Sequence, residues 1–435
     1  MSEILADQAV QGRRPWQPLS TPVFLGFLGY VFVIMTYRLP AGTLMMTATL
    51  GSLLLQRDPI RTPRFFWIFV AWTAWAWVGY AVTLYPDVVS DSVIERGKLL
   101  LVTLVAVNAL RTWPLVRYFM VFMLASYLLF PARSTLVNYV RGNTLVGRAI
   151  GPFIYSNPND LAALTILMLG PALALWAGAA RGSRLRWLGL VGAAMLTVVI
   201  VLTQSRAAFI ALAAIALPSS IALARRRPRA VVALAALLGL ALYLAPPAYW
   251  GRIRGLRNAT SVQTIGRMDP EGSAAQRFEV LRTALRIIKD HPVLGVGLGA
   301  YEFANARYNP ALGTLDTHNT YLHILAETGV PGLVLFLALV TSVVQGARDA
   351  RRRAARVLPA HAETLRWLQY ALVGHLIAAL FGSFATFIMP YVFLALLWSA
   401  SQAVRALCPP LTAAPPPVPA AKGAPLVDPR RRWGV

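Results

Sequence analysis

Long apolar runs alternate with short polar segments over almost the whole chain. Twelve of these runs are long enough to cross a bilayer as helices. The apolar residues come in blocks rather than in the periodic stripes of a soluble helix, so the pattern predicts a polytopic all-α membrane protein. Several runs are short or share a tight turn, so the count ranges from ten to thirteen. The predicted spans are residues 20–37, 39–55, 65–84, 93–110, 115–130, 160–180, 187–203, 206–223, 230–248, 330–347, 367–384 and 385–402.

One long polar interval breaks this pattern, at residues 250–327. It carries nine of the lysines and arginines and three of the five histidines. Loops longer than about 15 residues are usually functional or disordered. We therefore divide the chain into spans 1–9 within residues 1–249, a candidate active-site loop at 250–327, spans 10–12 within 328–404, and a tail at 405–435. The tail is rich in proline and alanine, which predicts a disordered extension.

Composition agrees with a membrane protein, since 57% of the residues are hydrophobic and only 13% are charged. Residues 2–20 are polar and contain two arginines, so no cleavable signal peptide is expected there. The single cysteine, Cys408, excludes an intramolecular disulfide and any cysteine-based metal cluster.

The distribution of basic residues predicts the orientation. With twelve spans, 25 lysines and arginines lie on one side, whereas the short loops of the other side carry seven. The positive-inside rule then places both termini in the cytoplasm and the long loop outside. The net charge of +24 is therefore mainly a topology signal, with attraction to anionic lipid headgroups, rather than evidence of nucleic-acid binding. Nine positive residues on the outer side suggest a polyanionic ligand, although long loops also translocate regardless of charge.

Within the long loop, residues Ser273 to Asp290 predict an amphipathic helix that lies along or near the membrane surface. Ser273 followed by Gln276 is a capping-box start, and Pro292 ends the pattern. The predicted apolar face consists of Phe278, Leu281, Leu285 and Ile288, and the polar side carries Arg277, Arg282, Arg286 and Lys289. A guanidinium matches phosphate oxygens, so an inward arginine is suited to a lipid pyrophosphate. We favour Arg277 for this role; for Arg282 and Arg286 a contact with headgroups is equally plausible.

The segment Gly295-Val296-Gly297-Leu298-Gly299-Ala300-Tyr301 follows this helix. The glycines allow close approach to a helix or a ligand, and a simple turn explains them equally well. No strand precedes them, so a dinucleotide fold is not indicated. Tyr301 is either a site residue or, as we favour, an interfacial anchor.

Residues Asp316 to Leu322 predict the start of another helix, capped by Asp316 or Thr317. His318 would lie in its first turn, where the helix dipole favours the neutral imidazole that a general base requires. His323 lies five positions later, so the two histidines do not form an i,i+4 metal site. Metal binding by His291, His318 and His323 stays a minor alternative, and the hypothesis has no metal.

Two further polar segments face the same side. Arg206 stands where two apolar runs meet, beside Gln204 and Ser205, and charge at membrane depth commonly marks a site, although a boundary arginine also snorkels. Asn157-Pro158-Asn159-Asp160 begins a span and is suited to sugar hydroxyls, with helix capping by Asn159 as the alternative.

Together these residues resemble the O-antigen ligase family. The resemblance is carried by His318-Asn319, nine residues, Gly329-Val330-Pro331-Gly332, by the preceding glycine segment, and by Arg206 and the Asn157–Asp160 element. It implies a GT-C-like enzyme of the bacterial inner membrane with its active site on the periplasmic face. The implied partners are an undecaprenyl-pyrophosphate-linked O-antigen donor, the lipid A–core oligosaccharide as acceptor, and membrane lipids. His318 would be the base, and Arg206 and Arg277 the pyrophosphate-binding pair. Further candidates for substrate binding are Asn157, Asn159, Arg282, Tyr301 and Asn319.

The chemistry of the proposed transfer is compatible with one histidine base and two arginines. A pyrophosphate leaving group needs no acid, and two arginines can stabilise its charge, so no cofactor is expected. A glycan polymerase or a protein O-oligosaccharyltransferase would use similar residues, and the loop motif favours the ligase only weakly. A transporter would need polar groups inside several spans, whereas here the spans are nearly free of charge.

Overall fold

The computed structural model describes residues 21–37, 40–224 and 273–408. The predicted span at 230–248, the beginning of the long loop and most of the proline-rich tail lie outside these residues. Within the described ranges the protein is helical, apart from one hairpin of two short strands.

The N-terminal half consists of helices joined by short turns. The prolines at the start of several of them favour helix initiation, because proline lacks the N–H that would have no partner there. The helices are α1 Pro22–Thr36, α2 Gly42–Leu55, α3 Arg64–Val78, α4 Pro86–Ala109, α5 Trp113–Tyr127, α6 Arg133–Val140, α7 Pro158–Gly178, α8 Arg184–Leu202 and α9 Arg206–Ala224. A five-residue π-helical turn, Leu128–Ala132, joins α5 to α6. Strands β1 Thr144–Leu145 and β2 Arg148–Ala149 form the antiparallel hairpin between α6 and α7.

The C-terminal part begins in the long loop. Its helices are α10 Ser273–Asp290, α11 Tyr301–Tyr308, α12 Thr320–Val357, α13 Pro359–Ala378 and α14 Ile388–Leu407. The backbone of α12 breaks at Gly329, where φ is 67° and ψ is −173°. Helix α10 has the predicted bounds, whereas the predicted span 330–347 is the middle of a much longer helix.

Every predicted span that falls on described residues coincides with a helix. Among the residues that the structure describes, four stretches are long and apolar enough to cross a membrane: Trp113–Val140, Pro158–Gly178, Arg184–Leu202 and Thr320–Val357. Shorter apolar helices accompany them, among them α1 and α2. This architecture is consistent with an integral membrane protein; the figure of twelve spans and the orientation stay predictions.

Helix α7 lies at the centre of the main core, where most of its residues are buried. It packs mainly against α8 and α13. Gly170 of α7 has the Cβ of Ala371 and the ring of Phe393 so near that only glycine fits without a shift. This contact brings the middle of α7 close to α13 and α14.

A second, smaller core lies under the long loop. It joins α10 and α11 to the start of α12 through Val280, Ala284, Ile287, Tyr301 and Ala326. Of the predicted apolar face of α10, Ile288 packs against this core, whereas Leu281 and Leu285 are exposed on the protein. That this face lies along the membrane surface stays a prediction. The smaller residues Val280 and Ala284 allow α10 to approach the protein closely, so the two leucines point away from it.

The two glycine motifs interlock. Backbone N–H groups of Val296 and Gly297 donate to the carbonyls of Ala326 and Glu327 at 2.9 and 3.0 Å, and Val330 N–H donates to Pro292 O at 2.8 Å. Gly295 has φ 68°, and a Cβ there would collide with the backbone of Glu327; one at Gly329 would collide with that of Val293. The glycine segment, residues 295–299, thus packs closely against the first turns of α12, and we call this contact the glycine clamp. Close packing accounts for these glycines without a bound ligand.

Candidate active site

His318 lies immediately before the N-cap of α12. Asn319 is that N-cap, because its Oδ1 accepts hydrogen bonds from the N–H groups of Tyr321 and Leu322 at 3.0 and 3.1 Å. The predicted caps, Asp316 and Thr317, are therefore wrong: the side chain of Asn319 reaches the free amides directly. His318 has φ 51°, in the left-handed region that non-glycine residues rarely adopt. Constrained backbone of this kind is frequent at functional sites.

The imidazole of His318 is half-buried, and its Nδ1 lies 3.7 Å from Oδ2 of Asp316. Burial lowers the pKa of His318 below its usual value, the positive charge of Arg277 lowers it further, and Asp316 partly opposes both. Burial and the charge of Arg277 thus favour the neutral ring that a base requires. The sequence predicted that the helix dipole would favour the neutral imidazole. In the structure His318 precedes the first helical turn, and its pKa is lowered by burial and by the charge of Arg277.

Asp316 joins His318 to a buried histidine and a second carboxylate. Its Oδ1 lies 3.1 Å from Nδ1 of His323, and Nε2 of His323 lies 3.0 Å from Oε1 of Glu327. Burial alone would raise the pKa of Asp316, but the hydrogen bond and charge of His323 lower it to about 2. This arrangement was not predicted from the sequence, although the i,i+4 spacing of His323 and Glu327 indicates a pair on one helix face.

Arg277 reaches the site from α10. It lies one turn inside the helix and is within electrostatic range of His318. A cation beside the imidazole keeps a proton off the ring and is suited to an anionic substrate. An unprotonated imidazole and an attraction for anions are both required for transfer from a pyrophosphate-linked donor.

The second group of candidate residues lies around the start of α9. Arg206 is the first residue of that helix, after a turn in which Gln204 has φ 51°. Nε2 of Gln204 donates to Gly147 O in the hairpin at 3.1 Å. Arg148 of β2 donates from Nε to Thr203 O at 2.9 Å and from Nη2 to Oδ1 of Asn159 at 2.8 Å. The hairpin therefore fixes the turn that leads into Arg206.

The beginning of α7 completes this group. Asn157 is the N-cap, and its Oδ1 accepts from the N–H of Asn159 at 2.8 Å. The alternative in which Asn159 caps the helix is therefore wrong; its side chain binds Arg148 instead. Asp160, one residue further, is close enough to Asp316 for their charges to interact. The start of α7 and the loop before α12, which are separate in sequence, are thus within electrostatic range of each other.

Comparison with known proteins bears on the segment that contains most of these residues. Residues 191–337 match the protein-family model described as O-antigen ligase, and no curated protein matches the chain. This segment belongs to the O-antigen ligase family. Family membership implies glycosyltransferase-type ligase or polymerase activity on lipid-linked polysaccharides.

The O-antigen ligase segment covers about a third of the chain, from α8 to the middle of α12. It contains Arg206, Arg277 and His318 together with both glycine motifs. Arg148 and the Asn157–Asp160 element lie before it. Arg148, which lies outside the matched residues, therefore contacts Thr203, which lies inside them.

Two further candidates in the O-antigen ligase segment have internal partners. Arg282 is exposed and lies 3.2 Å from Glu279 on its own helix. Tyr301 is fully buried, with its ring 5.6 Å from that of His323, so the interpretation as an interfacial anchor is wrong. Among the described residues, no group of three or more His, Cys, Asp and Glu side chains is arranged to hold a metal ion.

Proposed function

We propose that the protein is an O-antigen ligase, an inverting glycosyltransferase that acts without a metal. It moves O-antigen polysaccharide from undecaprenyl pyrophosphate to a sugar hydroxyl of lipid A–core. The observation that carries this proposal is the half-buried His318 imidazole at the start of α12, which lies within electrostatic range of Arg277 in a segment of the O-antigen ligase family.

The reaction requires one base and charge stabilisation. His318 accepts the proton of the acceptor hydroxyl while its oxygen forms a bond to the anomeric carbon of the donor sugar. The bond between that carbon and the phosphate oxygen breaks, and undecaprenyl pyrophosphate leaves. A single displacement of this kind inverts the anomeric configuration. A positioned base contributes typically about 10²–10⁴-fold in rate.

Arg206 and Arg277 bind the pyrophosphate in this proposal. Planar guanidinium groups form paired hydrogen bonds with phosphate oxygens and stabilise the charge that grows as the bond breaks. Two arginines thus supply the stabilisation that a divalent cation gives elsewhere. Asn157, Asn159 and Asn319 stay candidates for sugar hydroxyls, and Arg282 for a secondary phosphate contact.

The proposed location is the bacterial inner membrane, with the site on the periplasmic face and both termini in the cytoplasm. The excess of arginine in the short loops of one side supports this orientation. It also gives the site direct access to a lipid-linked donor in the outer leaflet.

A lipopolysaccharide gel of a strain that lacks the gene tests the function. Bare core with accumulated lipid-linked polymer supports the ligase, whereas core that carries one repeat unit would identify a polymerase. Complementation with His318→Ala should leave the defect, with the protein still inserted in the membrane. Normal decoration by the His318→Ala protein would contradict the proposal.

A further inference from the structure

Four side chains form a line from the site into the protein, and each is more buried than the one before. The exposed fraction falls from 39% for His318 to 27% for Asp316, 13% for His323 and 4% for Glu327. Neighbouring members lie 3.7, 3.1 and 3.0 Å apart at their closest nitrogen and oxygen atoms. The line thus runs from the half-buried candidate base to a carboxylate in the core.

The geometry defines the charge of His323. Both of its ring nitrogens face carboxylate oxygens, so both donate, and the ring is a cation between two anions. Arg96 of α4 lies beyond Glu327 and interacts with it electrostatically. Its guanidinium is 3.9 Å from the centre of the Trp72 ring and is almost fully buried. The charges therefore alternate along the line, which makes their burial tolerable.

The backbone around this line is fixed on both sides. Oγ1 of Thr317 is 3.0 Å from both Ser383 Oγ and the carbonyl of Asn319, so the loop is tied to the segment between α13 and α14. Oε1 of Glu327 also lies 3.4 Å from the N–H of Tyr301, directly behind the glycine clamp. The carboxylate of Asp316 consequently has little freedom to turn away from His318.

We propose that Asp316, held by His323 and Glu327, is a positioning residue that orients His318 so that Nε2 meets the acceptor hydroxyl. Asp316 faces Nδ1 and favours the tautomer that carries its proton there. Nε2 then has the free lone pair. A separation of 3.7 Å is longer than a hydrogen bond, but such contacts tighten when substrate binds. This inference rests on the proposed function, because it assigns a role relative to the base His318.

The test uses the full-length protein in lipid nanodiscs, with a polyprenyl-pyrophosphate-linked glycan and lipid A–core. His318→Ala tests the function itself and should abolish transfer. Asp316→Asn should lower kcat by about 10²-fold with the donor KM unchanged. It should also shift the acidic limb of the pH–rate profile to lower pH, because the carboxylate that raises the pKa of His318 is lost. The cation of Arg277, which lowers that pKa from α10, is still present.

Two variants complete the design. Asp316→Glu keeps the charge but displaces the carboxylate by one methylene, so kcat should be intermediate and the acidic limb near its wild-type position. Glu302→Gln removes an exposed carboxylate on α11 that is also within electrostatic range of Asp316, and it should retain wild-type kcat.

The outcomes separate the two hypotheses. Transfer by His318→Ala would overturn the proposed function. The positioning role alone would be overturned if His318→Ala is inactive while Asp316→Asn keeps wild-type kcat and an unshifted acidic limb. If Asp316→Asn does not fold, Asp316→Glu decides, and wild-type kcat for that variant would count against the inference.

Discussion

Nη2 of Arg148 donates a hydrogen bond of 2.8 Å to Oδ1 of Asn159, which joins the β-hairpin to the first turn of α7. The same guanidinium donates from Nε to Thr203 O, in the turn that leads into α9. One side chain therefore ties three separate segments together at the place where Arg206 begins its helix. The hairpin is consequently part of the candidate site and not only a connection.

Arg148→Ala should weaken the site without unfolding the protein. Hydrogen bonds from a charged donor contribute about 1.5–3 kcal/mol each, so the loss of even one corresponds to about tenfold or more in kcat/KM for the donor. Transfer assays with purified protein measure this change. Arg141→Ala, which removes an exposed arginine just before the hairpin, is the matched control. Equal kcat/KM for the two variants would show that the contacts of Arg148 do not matter for transfer.

Gly295→Ala should destabilise the protein much more than Gly313→Ala. Both glycines have left-handed φ, 68° and 66°, so both substitutions cost about 1–2 kcal/mol in backbone strain. At Gly313 a Cβ meets open space, whereas at Gly295 it collides with the backbone of Glu327. Thermal melts in detergent should therefore show a small decrease in Tm for Gly313→Ala and a large one for Gly295→Ala. Similar Tm values would mean that α12 moves away from the clamp easily.

His323 and Glu327 should be energetically coupled. Removal of one member of a buried ion pair costs about 3–5 kcal/mol, because the other charge stays buried without compensation. The double variant Glu327→Gln/His323→Gln should thus lower the free energy of unfolding by less than the sum of the decreases caused by Glu327→Gln and His323→Gln alone. Chemical denaturation of the four proteins gives the coupling energy. Strict additivity would show that the two groups are not paired in the folded protein.

The sequence predicted the helices far better than the contacts of the site. The bounds of α10 followed from Ser273 and Pro292, since both are local signals for a helix start and stop. The face of α10 that contacts the protein did not follow from the sequence, because Val280 and Ala284, which are buried in the second core, carry no stronger hydrophobic signal than the exposed Leu281. Arg148 was missed for another reason: the hairpin is short and polar, and its partners are 11 and 55 residues away.

Arg277 and Asp316 should have opposite effects on the pKa of His318, and substitution of Arg277 tests this. Its positive charge is one of the causes that lower the pKa of His318, after burial. Arg277→Gln removes that charge, so the pKa of His318 should rise and the imidazole should become protonated at higher pH. Because a protonated ring cannot act as a base, the acidic limb of the pH–rate profile should move to higher pH, opposite to the shift expected for Asp316→Asn. Lys289→Gln, at the far end of the same helix, should leave the limb unchanged. An unshifted limb for Arg277→Gln would mean that Arg277 acts on the donor alone and does not tune the base.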